Sequence, residues 1–156
     1  MVLRSFKDVG IKGFEPNQRT VQTPQIPFGI KTPLAIDTTG KSLFEMHFEF
    51  AEQMDDNLKN LVQTNHGERL GMYNFGANLR PLLTEYSNKE DFDSEAMIRI
   101  NTAISKWMPF VTPVGFDSKN DLENNDYLAI VKIIMTYSVP NTIIKERLIE
   151  INLSVI

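Results

Sequence analysis

The side chains of this 156-residue sequence that could do chemistry are two histidines, a Glu-Arg pair behind a glycine, and twin aspartates. His47 and His66 sit in neither an HxxxH nor an HExxH spacing, so they give no metal site, and none is expected. The absence of cysteine removes a thiolate zinc site, a cysteine nucleophile and a disulfide framework together. Serine catalysis lacks a GxSxG elbow, and phosphate cradling lacks a GxxxxGK[ST] loop. Glu68, following Gly67 in a turn, is the best candidate for a general acid in glycoside hydrolysis. That reaction needs a second carboxyl roughly 5–10 Å away across a sugar-holding cleft. Arg69 beside Glu68 works against the role, because a guanidinium lowers a carboxyl pKa where an acid needs it raised. Glu68 and Arg69 therefore read as charges that pair within or between chains. Asp55-Asp56 reads as a solvated pair favoured by a helix N-terminus. His47 is expected on the polar face of a strand, and His66 in a helix-ending loop. The expectation is a protein that is not an enzyme and holds no cofactor.

Those residues need elements to position them. Four of eight prolines (Pro16, Pro24, Pro27, Pro33) and four of eight glycines lie in the first 40 residues, with no sustained period. This predicts an extended arm over residues 1–40. Phe6, Ile11, Phe14, Ile26, Phe28 and Ile30 are too many large apolar groups for a merely flexible tail, so the arm is expected to dock. A domain over residues 41–156 follows. Phe44, Met46, Phe48 and Phe50 alternate with polar residues as in a half-buried strand. Met54, Leu58, Leu61 and Val62 have helical spacing, stopped by Asn65-His66-Gly67. Residues 77–86 read as a short strand or irregular segment. Asp91, Asp93 and Ser94 offer a cap to a second helix with Met97, Ile100, Ile104 and Trp107 on one face, ended by Pro109.

The rest reads as β. Phe110 to Phe116 alternates, Asp117 to Asp126 is a polar loop, and Tyr127 to Ser138 is apolar on both faces. The last of these suits a central strand covered on both sides. Residues 147–156 put Ile149, Ile151, Leu153 and Val155 on one face of a half-exposed strand. The sum is an α+β domain: an antiparallel sheet of about four strands with two helices packed on it. The net charge of −4 makes direct nucleic-acid binding a poor prospect. Nine acidic against four basic residues between Glu85 and Asp126 read as a solvated surface. With no apolar run near the ~20 residues of a membrane helix, and no signal-like N-terminus, a soluble, unexported protein is expected.

The string from Gln53 to Arg69, followed by Asn74-Phe75-Gly76-Ala77-Asn78-Leu79, resembles the baseplate wedge family of contractile-tailed phages that initiates the tail sheath. That family is related to a type VI secretion baseplate component, and some members are labelled lysozymes. Its pattern is a helix, then Gly-Glu-Arg, then Pro-x-Phe-Gly. Gly67, Glu68, Arg69, Phe75 and Gly76 match in place, while the family's proline falls on Tyr73. The resemblance covers roughly residues 27–156.

It implies a domain like the handshake part of sheath proteins, in a structural virion component of the tail baseplate made in the host cytoplasm. Subunits would form a hexameric ring around the tube and initiate sheath assembly by strand exchange. The edge carrying Ile149, Ile151 and Leu153 would meet the sheath protein through β-augmentation. Glu68 and Arg69 would hold the wedge core, and the arm would tie to other wedge proteins. No membrane is implied.

Overall fold

The computed structural model describes residues 26–40, 42–85, 89–120, 130–142 and 144–154. In chain order the elements are β1 (Gly29–Ile30), β2 (Met46–His47), α1 (Phe50–Gln63), α2 (Arg80–Glu85), α3 (Lys89–Trp107), β3 (Thr112–Asn120), β4 (Ile130–Ser138) and β5 (Arg147–Ser154). The class is α+β, and both sheets are antiparallel. β3-β4-β5 form one sheet and β1-β2 a separate two-stranded ribbon.

The main sheet has three strands rather than about four, because the 44–50 segment does not join it. That segment pairs instead with residues 29–30, Gly29 opposite His47 and Ile30 opposite Met46. Its alternation is also inverted: His47 is buried while Phe48 and Phe50 are exposed. The polar residue turns inward because two carboxylates of α1 await it.

α1 buries Met54, Leu58, Leu61 and Val62, the stripe its spacing predicts. It packs on β5, and α3 packs on β3. α3 begins at Lys89, ahead of the aspartates expected to cap it, and buries Phe92, Ala96, Ile100, Ala103 and Ile104. Met97 sits at the border of that stripe, 43% exposed. The segment after Leu79 is the short helix α2, not a strand. Pro81 is its second residue, where a missing N–H costs nothing, and Leu82 anchors it in the core.

β4 is the central strand, as its apolar run suggests, with Val131, Ile133, Met135 and Tyr137 buried beneath the helices. Among the described residues, however, helices cover only that face. On the other, Lys132 pairs with Glu150 at 2.6 Å, and Leu148 lies open. β3 runs on to Asn120 through the start of the segment read as a polar loop, because its residues keep pairing with β4 down to Val131. A register shift between Pro113 and Gly115 bends its start. Residues 1–25, Tyr127 to Ala129 and Val155 lie outside the described residues, and with them most of the predicted arm.

Candidate functional site

α1 ends at Gln63, and Thr64 turns the chain out in extended geometry. The Thr64 N–H and hydroxyl both donate to the Asn60 carbonyl, at 3.2 and 2.5 Å. The following loop is closed on itself. Gly67 donates its N–H to the Tyr73 carbonyl at 2.8 Å and has φ +88°. Gly76 has φ +105°, and a Cβ there would stand 2.1 Å from the Thr64 carbonyl oxygen. Only glycine fits so close to backbone in that conformation. Ala77 and Asn78 then donate to Leu61 and Thr64, stitching the loop's end to the end of α1.

Within this frame Glu68 is held from three directions. The Asn65 N–H and side-chain amide each donate to it at 2.8 Å, and Arg80 of α2 reaches it at 3.4 Å. These bonds hold its carboxyl below its ordinary pKa, the Asn65 backbone donor contributing most and the Arg80 charge least. Within the chain the arginine that pairs with Glu68 is Arg80. Arg69 lies over the Phe75 ring, 4.3 Å from its centroid. Phe75 meets Trp107 edge-on at 5.3 Å, and the Trp107 indole donates to the Asn74 carbonyl at 3.3 Å. Tyr73, where the family pattern has proline, places its carbonyl on Gly67 and its ring beside the Gly67 Cα, with most of the side chain exposed.

The result is an open groove of about 670 Å³ lined by Asn57, Asn60 and Thr64 of α1 and its cap, Glu68, Arg69, Met72 and Phe75 of the loop, and Trp107 and Phe110. Glu68 is its one carboxylate among the described residues. An ionised carboxylate, a guanidinium on an aromatic ring and three amide or hydroxyl side chains suit recognition of polypeptide. They do not supply a proton donor, since Glu68 is held in the charged form.

The other predicted site residues lie elsewhere. Ile149, Ile151 and Leu153 are at most 3% exposed, with their side chains in the core. What β5 can offer outward is backbone, since among the described residues it is an edge strand with β4 on one side only. Its start is pinned by Arg147, which pairs with Asp55 of α1 through two guanidinium nitrogens, while the Tyr137 hydroxyl donates to Asp55 at 2.7 Å. Burial and the Asp55 charge push the Tyr137 pKa up, and Asp55 raises that of Arg147.

Asp55-Asp56 is therefore not a solvated pair. Successive helical residues point about 100° apart, so Asp55 turns to β5 and Asp56 to the ribbon. Asp56 accepts His47 Nε2 at 2.7 Å and the Thr32 N–H at 2.8 Å. Sequence reasoning missed these contacts because each joins separate elements: His47–Asp56 spans 9 positions, Thr32–Asp56 spans 24 and Asp55–Arg147 spans 92. The apolar stripe of α1 leaves position 55 on its shoulder and position 56 on the opposite face, where the sequence alone points to solvent.

No protein-family model matches the chain, and no curated protein matches it. Solved structures do. A chain of the anti-feeding prophage (AFP) baseplate, in its 6-fold symmetrised structure, superposes with a TM-score of 0.57 at 15% identity, covering 73% of this chain and 86% of that one. A crystal structure assigned as a tail lysozyme from Geobacter sulfurreducens gives a TM-score of 0.57 at 14% identity, covering 69% and 93%. At such identities the likeness is one of fold.

Proposed function

We propose that this protein is a structural subunit of a contractile-tail baseplate, set in a sixfold ring around the tail tube, that initiates the sheath. The loop groove docks other wedge proteins, the free edge of β5 takes a strand from the first sheath subunits, and the N-terminal arm ties to neighbouring wedge chains. The observation that carries the reading is the state of Glu68: ionised, held by Asn65 and Arg80, and facing a groove beside a ring-stacked arginine. Charged, preordered groups of this kind are what an assembly contact uses for register and specificity. The fold shared with a baseplate chain supports it, as does an edge strand whose alternate residues are firmly seated in the core, so that its backbone is held in register.

A lysozyme-like role for Glu68 is the competing idea, since one similar structure carries that name. It requires a protonated acid and a second carboxylate across a cleft. Nothing in the groove favours it: Glu68 is shifted the opposite way, and no other described carboxylate lines the space.

The deciding experiment is to make Glu68→Ala and Arg69→Ala in the intact tail operon and count sheathed tails by negative-stain microscopy. Naked tubes or failed wedges, with the purified variants folded, are expected. Wild-type numbers of sheathed tails would overturn the reading, as would peptidoglycan cleavage by the purified protein that Glu68→Gln abolishes.

A further inference from the structure

The contact between the ribbon and α1 is polar apart from Phe28, which meets Phe50 at the start of α1 edge-on at 6.1 Å, and that makes it conditional. Phe28 and Ile30 of the ribbon face outward. Beneath the ribbon, α1 presents Gln53, Asp56 and Asn60. Gly29 lies so close to Gln53 that an added Cβ would fall 2.0 Å from its Oε1, and that oxygen is buried with no hydrogen-bond partner. What ties the two together is His47. Its Nδ1 stands 3.1 Å from Glu52 and its Nε2 2.7 Å from Asp56, while Thr32 adds its N–H to the same Asp56 oxygen. A carboxylate only accepts hydrogen bonds, so both ring nitrogens must carry protons for both contacts to exist. A neutral imidazole satisfies one carboxylate and turns a lone pair on the other.

We propose that the β1–β2 ribbon is a proton-operated latch, docked on α1 while the His47 imidazole carries both ring protons and released when it loses one. Every described charge around His47 is accounted for. Glu52 and Asp56 face it from α1. Arg147 of β5 lies near Glu52 but is engaged with Asp55, and Lys31 pairs with Glu45 on the ribbon itself. Burial pulls the His47 pKa down, but the bonds and charges of Asp56 and Glu52 outweigh it and leave it above 6.5. Burial likewise works against Asp56, yet the bonds from His47 and Thr32 hold it below 3.8.

The signs fix a window. The His47 contribution is complete below its unfolded pKa and disappears as pH rises through the higher folded value. The Asp56 contribution is present above its unfolded pKa and disappears as pH falls through the lower folded value. The latch is closed between them. A free two-stranded ribbon, even prolonged by the Ile36–Phe44 bridge, does not hold by itself, so release frees the chain from residue 26 to the start of α1 to be re-seated on a neighbour.

The test follows the His47 ring resonances and amide exchange by NMR in the full chain from pH 5 to 9. The expected result is a His47 midpoint above 6.5 and a loss of protection at Lys31 and Thr32 that follows it. Ile133 and Met135 of β4 keep theirs. His47→Gln should show the low ribbon protection at every pH. Asp56→Asn should do the same and lower the His47 midpoint. A wild-type ribbon whose protection does not follow the His47 titration, or a His47 midpoint at or below 6.5, would overturn the latch.

Discussion

Gly76 shows most directly how one residue fixes the loop. With φ +105° and the Thr64 carbonyl where a Cβ would go, Gly76→Ala must break the stitch between residues 77–78 and the end of α1. Strain at such a position costs about 1–3 kcal/mol, and the clash adds to it. A fall in the urea midpoint with Phe75 and Trp107 unseated, read by tryptophan fluorescence, is expected. Glu68 behaves differently. Its side chain is 44% exposed, so its bonds are screened by solvent, and Glu68→Gln should move the stability of the isolated chain by less than about 1 kcal/mol. The stabilisation Glu68 does give is present above its unfolded pKa and fades as pH falls through the lower folded one. A large loss of stability in this variant at pH 7 would mean that the groove is a folding element rather than a docking one.

Between elements, the Asp55–Arg147–Tyr137 cluster joins α1 to the beginning of the edge strand. Asp55→Ala leaves a guanidinium and a buried hydroxyl without their acceptor. Arg147 is partly exposed, so the cost falls short of a fully buried pair, at about 2 kcal/mol. Tyr137→Phe should cost about 1 kcal/mol in the intact protein and much less in the Asp55→Ala background, because the two act through one acceptor. Thermal unfolding of the four proteins of that cycle measures it. Equal costs of Tyr137→Phe in both backgrounds would show that the hydroxyl does not work through Asp55. The ribbon, whose one ring contact with α1 is Phe28 on Phe50, belongs to the least stable part of the fold, and α1 with β4 to the most stable.

At the scale of the whole molecule, three features point outward among the described residues: the loop groove, the edge of β5 away from β4 and the face of the main sheet away from the helices. An unprotected edge strand is normally a hazard that proteins cover, and leaving one is consistent with a subunit made to be extended by others. Deleting residues 1–26 is expected to reduce incorporation into wedges while the main sheet stays folded, as seen by co-purification with other baseplate proteins against circular dichroism of the truncated chain. Full incorporation of the truncated chain would remove the arm from the assembly scheme.

Local pattern was enough to determine the α+β class, the apolar stripe of α1, the central place of β4, the inward alternation of β5 and the left-handed glycine that follows the helix. Each depends on near neighbours in the chain and on the 3.6- or 2-residue period that sorts them to one face. Only the tertiary structure decided the partners of the charges. Glu68 took Arg80, Asp55 took Arg147, and His47 turned into the space between Glu52 and Asp56 against the alternation of its own strand. The reason is physical. Burying apolar groups is non-directional and so leaves a periodic trace, whereas an ion pair is chosen by which distant carboxylate the finished packing brings within 3–4 Å, and nothing local encodes that.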